Sequence, residues 1–314
     1  MTDPATFFRN EMAAWPLARD NFRNLEKSLA GAVMLTDGGG WQLRKVLVNH
    51  RRASITAKTD SQSIAARPCF LCASNRPPEQ GAIREGGYEI LVNPYPLAPV
   101  HYTIASCRHE VQSIADHISD MAQLTTNMPD MCVFYNGPRC GASAPDHLHF
   151  QAVTKETAAN ILDPALPLEK IAAIADGVLF RSQPGRTPYP FFIIDAPTAE
   201  YTEKILRHLL AALLPADPEP MVNIAIVTLP DGGLRTFVAP RRRHRPTVYG
   251  TEPGQLLVSP ATIEMLGTLV CSRQEDFDRL DLPQALSILA EVGLSEEELT
   301  ETVNKLLNNP NNAS

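Results

Sequence analysis

Residues 88 to 153 run through strand-like and helix-like patterns in an order that returns further along the chain. Y-E-I-L-V-N and H-Y-T-I-A-S are short strand-like runs joined by a Pro-rich link, and residues 110 to 128 suit a helix. M-C-V-F-Y-N and H-L-H-F-Q-A-V are two more strands, connected by the turn-rich G-P-R-C-G-A-S-A-P-D. A Pro-punctuated stretch from roughly 155 to 190 reads as a seam. Beyond it come F-F-I-I-D, a helix at 198 to 214, then M-V-N-I-A-I-V-T and L-R-T-F-V-A-P joined by a D-G-G turn. The order strand, helix, strand, turn, strand is therefore met twice, although no residues repeat between the stretches. Short strands with intervening helices predict an α+β protein of two lobes, residues 1–155 and 156–314, the second ending in a helical tail. Before the first stretch, residues 5 to 30 look helical with one break at Pro16, and W-Q-L-R-K-V-L-V-N alternates like a strand.

The chain has 314 residues and a net charge of -7. That charge and a pI near 5.6 argue against a general nucleic-acid binder or an anionic-membrane protein. No apolar run approaches a membrane span, and M-T-D-P-A-T-F-F-R-N-E-M lacks the charged-then-apolar pattern of a secretory leader. A cytoplasmic location is expected, where the six cysteines read as thiols or metal ligands rather than a disulfide framework.

Cys69 and Cys72 form a C-x-x-C that can hold one tetrahedral zinc or serve as a redox pair. Pro77-Pro78 follows too soon for the helix a redox motif opens, which disfavours that use. A zinc needs two further ligands, and the chain offers His109 on a strand-end turn and His147 in D-H-L-H-F-Q. A fortuitous pair of buried thiols, with His109 a plain surface residue, is the competing explanation.

In a strand, His147, His149 and Gln151 would share one face. A neutral His149, its tautomer fixed by a hydrogen bond, could attack phosphorus and give a nucleotidyl-histidine. Gln151 cannot donate a proton to a leaving group, but its amide can hydrogen-bond a phosphate oxygen. Such a site suits groups that depart as anions, sugar phosphates or pyrophosphates, and favours transfer over hydrolysis. An H-x-H on the wet face of an ordinary strand is commoner. The lead-in weighs against it: Gly137 and Gly141 let backbone N–H groups approach phosphate, and Asn136 and Ser143 can add side-chain bonds.

R-P-C-F-L-C-A-S-N, V-N-P-Y-P-L-A-P-V-H-Y-T-I-A-S-C-R-H and D-H-L-H-F-Q together resemble the histidine-triad-like nucleotidyltransferase superfamily. The likeness is to its galactose-1-phosphate uridylyltransferase and GDP-hexose phosphorylase branches, and F-Y-N-G-P-R-C-G-A-S also resembles the diadenosine tetraphosphate phosphorylases. The whole chain looks most like a bacterial family common in Bacteroidetes. These motifs span roughly residues 45 to 153; beyond them the likeness is diffuse.

The resemblance implies a histidine-triad-like fold with mainly antiparallel sheets, and makes residues 1–155 a catalytic lobe with a zinc site. It implies His149 as covalent nucleophile, Gln151 as the amide on the transferred phosphate, and Cys69, Cys72, His109 and His147 as ligands of a structural zinc. Asn136, Gly141 and Ser143 would contact phosphate, Ser143 standing one residue further from the nucleophile than in the uridylyltransferases. Arg51 and Lys58, in N-H-R-R-A-S-I-T-A-K, fall where the superfamily places nucleotide-phosphate contacts. The second basic run, R-R-R-H-R-P at 241 to 246, is either solvated surface or a face turned toward the first lobe's pocket. The expected substrate is a nucleotide or nucleotide-sugar, with inorganic phosphate or a sugar phosphate as acceptor. The alternatives are a diadenosine polyphosphate phosphorylase and a non-catalytic nucleotide-binding zinc protein.

Overall fold

The computed structural model describes residues 4–35, 40–57, 60–174 and 176–308. Lys58 therefore lies outside the described residues. Among the described residues, thirteen strands run in chain order: β1 Val33–Met34, β2 Arg44–Leu47, β3 Ile83–Glu85, β4 Tyr88–Val92, β5 His101–Ser106, β6 Met131–Asn136, β7 His149–Thr154, β8 Leu168–Ile174, β9 Gly177–Ser182, β10 Phe192–Ala196, β11 Val222–Thr228, β12 Leu234–Pro240 and β13 Thr268–Cys271. Ten of them make one antiparallel sheet in the order β3-β4-β5-β7-β6-β11-β12-β10-β9-β8.

Counted outward from the middle, each half repeats the same arrangement. β6, β7, β5, β4 and β3 on one side correspond to β11, β12, β10, β9 and β8 on the other. A helix follows the third strand of each half, Ile118–Asn127 in the first and Ala199–Ala212 in the second. The two halves of the sheet meet where β6 and β11 pair, with Asn136 opposite Asn223. The α+β architecture is thus antiparallel throughout its main sheet, and that sheet is continuous across both halves.

Strand alternation divides the core. Val133, Tyr135, Phe150 and Ile224 pack beneath the two equivalent helices, while Phe134, Val153, Ala225 and Phe237 pack with Trp41, Phe191 and Leu289 on the opposite face. The second face is apolar toward the middle of the strands. At one end it changes to His101, Thr103, Asn136, His149, Gln151 and Asn223. Residues of this kind are buried only where partners or a ligand satisfy them.

One expectation holds and two change. Pro16 does split the N-terminal helix, into Pro4–Ala14 and Pro16–Ala30, with the ring tolerated at a first-turn position. The helix expected over 110 to 128 forms only at Ile118–Asn127. Residues before it are held by bonds from Gln112 N–H to the Pro145 carbonyl and from Ile114 N–H to Glu219, which a continuous helix could not make. The stretch read as a seam contains β8 and β9, whose alternating L-E-K-I-A-A-I and V-L-F-R-S complete the second half of the sheet.

A candidate active site at the lobe junction

β6 and β7 pair only as far as Phe134 opposite Gln151. Beyond that rung they separate, and residues 137 to 148 loop out between them. A cavity of about 900 Å³ opens over this split. His149, Gln151, Asn136, Gly141, Ser143 and Arg51 all line it, so the structure gathers every described residue expected to touch substrate. Gly141 has φ +100, and a Cβ there would stand 2.5 Å from Ala261 Cβ of the second lobe. Only glycine fits both the backbone and the gap.

His149 is 4% exposed, and its Nδ1–H donates to the His147 carbonyl at 2.8 Å. That bond fixes the tautomer with the Nε2 lone pair free. Burial lowers its pKa to about 4, so the ring is neutral at physiological pH. Gln151 is oriented as firmly. Leu97 N–H donates to His101 Nδ1 at 3.2 Å, so the proton of His101 must sit on Nε2, where it is 2.9 Å from Gln151 Oε1. With its oxygen engaged, Gln151 offers its NH2 group to the cavity. Burial, followed by the Arg51 charge, holds His101 neutral with a pKa of about 3.

The expectation that His147, His149 and Gln151 share a face is corrected. β7 begins at His149, and His147 lies in the preceding bend with its ring turned away from the cavity. It meets Cys69, Cys72 and His109 instead, one potential ligand atom from each lying within 4.8 Å of the others. The Nδ1 atoms of His109 and His147 are 3.3 Å apart, Cys69 Sγ is 3.3 Å from His147 Nδ1, and Cys72 Sγ is 3.3 Å from His109 Nδ1. A tetrahedral zinc bonded at about 2.3 Å to sulfur and about 2.0 Å to nitrogen requires edges of roughly 3.3–3.8 Å, so the cluster has the right size. His147 Nε2 donates to the Ser106 carbonyl at 2.9 Å, which turns the bare Nδ1 toward the thiols. These residues could hold one metal ion.

Residues that the sequence reading passed over complete the site. Gln112 is fully buried between the separated strands. Its Oε1 accepts from His149 N–H at 2.8 Å, and its Nε2 donates to the Asn136 and His149 carbonyls, each at 3.0 Å. His101 and Gln112 gave no local signal, because one opens an ordinary strand and the other looked like a helix residue. Arg67, beside the C-x-x-C, lines the cavity and pairs with Asp146 at 2.9 Å. From the second lobe come His244, Arg245 and Glu264. Of the basic run at 241 to 246, His244 and Arg245 face the first lobe's pocket, whereas Arg242 and Arg243 pair with Glu298 and Glu291. Arg245 binds the Ile55 carbonyl at 3.1 Å and lies over the Tyr249 ring. Burial raises Glu264 to about 7 and lowers His244 to about 4.

Two family models match the chain: a domain of unknown function (DUF4922) over residues 7–154, and the C-terminal domain of GDPGP1-like proteins over residues 201–313. The crystal structure of yeast Ap4A phosphorylase Apa2 is similar at TM-score 0.55 and 17% identity, over 88% of this chain and 93% of that one. Its complex with AMP is similar at TM-score 0.56 and 14% identity, over 89% and 97%. Its complex with Ap4A is similar at TM-score 0.51 and 16% identity, over 90% and 97%. No curated protein sequence matches the chain. The chain shares the fold of these Ap4A phosphorylase structures across most of its length. Among the described residues, no helix is long and apolar enough to cross a membrane.

Proposed function

We propose that this protein is a nucleotidyltransferase acting through a covalent nucleotidyl-His149. The observation that carries the reading is the Nδ1–H bond of His149 to the His147 carbonyl, at 2.8 Å, in a buried neutral ring lining the cavity. His149 Nε2 attacks the α-phosphorus of a nucleoside-diphosphate sugar. A P–N bond forms, the bridging P–O bond breaks, and the sugar 1-phosphate leaves with the electron pair. An oxygen of inorganic phosphate or of a sugar 1-phosphate then attacks the same phosphorus and returns the P–N pair to Nε2. In both steps the phosphoryl oxygens gain charge, which donors already in place stabilise. The NH2 groups of Gln151 and Asn136 and the Gly141–Ser143 backbone supply them, while Arg51, Arg67 and Arg245 balance the charge of the distal phosphate.

Cys69, Cys72, His109 and His147 would hold a structural zinc, for which the two-sulfur, two-nitrogen donor set is suited. A zinc there fixes the residue whose carbonyl holds the nucleophile. On this reading residues 1–155 form the catalytic lobe and 156–314 a related lobe that closes the pocket. The chemistry belongs in the cytoplasm, where the six cysteines, none in a disulfide, are stable as thiols.

A second reading, phosphorolysis of a diadenosine polyphosphate, draws support from the likeness to Ap4A phosphorylase and uses the same residues. Intact-protein mass spectrometry after incubation with nucleoside-diphosphate sugars and with Ap4A, without acceptor, tests both. A nucleotide-sized mass gain is expected in the wild type and not in His149→Ala. Added phosphate should discharge it faster than water does. A mass gain that persists in His149→Ala overturns the assignment. Absence of both adduct and turnover across the panel favours a non-catalytic nucleotide-binding protein.

A further inference from the structure

Asn136 stands at the last residue of β6, beside the nucleophile, and an asparagine amide can face either way. If it turned its oxygen to the cavity it would repel phosphate, so something must set its orientation. The hydrogen bonds of the second lobe do so. Arg241, 4% exposed, donates from Nη1 to Asn223 Oδ1 at 2.6 Å and to the Pro260 carbonyl at 3.1 Å. Its Nε reaches the Val292 carbonyl, and its Nη2 reaches the carbonyls of Arg243 and His244. A guanidinium has donors only. Asn223 must therefore present its oxygen to Arg241, which turns its nitrogen to Asn136 Oδ1 at 2.9 Å and to the Cys140 carbonyl at 2.8 Å. Asn136 must in turn present its oxygen to Asn223. Thr262 N–H, another obligate donor, meets the same oxygen at 2.9 Å. The nitrogen of Asn136 is left facing the cavity, without a partner among the described residues.

We propose that Arg241 and Asn223 are positioning residues: a buried guanidinium of the second lobe sets two successive amides so that Asn136 is a donor toward the substrate's phosphate. The site on the first lobe is thereby completed by the second, across the β6–β11 junction. This inference rests on the reading of the cavity as a nucleotide site. It adds that the polarity of Asn136 is imposed by residues that never touch the ligand.

The test is equilibrium binding of AMP, GMP, UMP and CMP, measured by calorimetry on full-length protein well below each variant's melting temperature. Asn223→Asp still accepts from Arg241 but has no hydrogen to give Asn136. Affinity for whichever nucleotide the wild type binds should fall about tenfold to a hundredfold, the worth of a hydrogen bond to a charged group. Arg241→Lys keeps an obligate donor and should bind within about threefold of wild type, whereas Arg241→Gln, free to present either end, should weaken binding as Asn223→Asp does. If Asn223→Asp does not fold, that pair carries the test. Asn136→Ala should weaken binding by itself, and adding Asn223→Asp to it should change nothing further. Additive losses in that double variant, or wild-type affinity in folded Asn223→Asp and Arg241→Gln, overturn the relay while leaving the nucleotide site intact. A wild type that binds none of the four nucleotides overturns the site reading and the relay together.

Discussion

Gln112 holds the site open, and replacing it by methionine isolates what it contributes. Ser106 N–H bonds the Leu148 carbonyl, so by antiparallel alternation the N–H and C=O of His149 point away from β5 and toward β6. The next rung of the β6–β7 ladder would join them to Asn136, but the strands have parted there. The Gln112 amide occupies the gap as a substitute rung, with one acceptor and two donor contacts of 2.8, 3.0 and 3.0 Å. Methionine fills the same volume and makes none of these bonds. Three buried backbone groups then lose a partner at about 1–3 kcal/mol each, or roughly 3–9 kcal/mol together. That is a large part of the roughly 5–15 kcal/mol by which proteins are stable. Urea unfolding followed by tryptophan fluorescence should show the loss as a lower midpoint. Nucleotidylation of His149 should slow as well, since the backbone carrying the ring is no longer fixed. A stability loss below roughly 1 kcal/mol would refute the substitute-rung argument, because desolvated orphan groups cannot be that cheap.

Purified protein should contain about one zinc per chain by metal analysis. Cys69→Ser should lower both zinc content and melting temperature, and full stability without metal would refute the site. Gly141→Ala should destabilise the protein by more than about 1 kcal/mol, since it adds left-handed strain to a clash with Ala261; a thermal melt unchanged from wild type would contradict this. Stability should also fall in mild acid. His149, His101 and His244 are held at about 4, 3 and 4, so the stability they contribute is complete above the unfolded value of about 6.5 and is lost as pH falls below it. Glu264, raised to about 7, acts in the opposite sense: its contribution is present at low pH and is lost as pH rises through 7. Three groups against one leave a net loss on the order of 2 kcal/mol per pH unit between about 6 and 5, measurable by urea unfolding; stability that rises toward pH 5 would contradict these environments.

Much of the site was legible because its chemistry is local in sequence. C-x-x-C spacing brings two thiols together whatever surrounds them. Apolar positions flanking His149 and Gln151 put both on one side of β7, and Gly141 marks a backbone that must turn sharply at close quarters. The repeated order of elements was likewise legible, since period and turn chemistry act over a few residues. Alternation misled at His147, because it assumes a strand that does not start until His149. Tertiary structure alone decided the rest. Gln112 looked like part of a helix until the separation of β6 and β7 gave its amide three backbone partners. His101 became a positioning group only when β5 paired with β7 and brought Gln151 opposite Thr103. Arg241, one arginine in a basic run, is buried, because β11 joins β6 and closes the second lobe over it. Each of these roles depends on a donor or acceptor finding a partner distant in the chain, 18 residues away for Arg241 and Asn223, 37 for Gln112 and His149, and 50 for Gln151 and His101. Local patterning cannot specify that distance, because only the assembled sheet fixes which strands are neighbours.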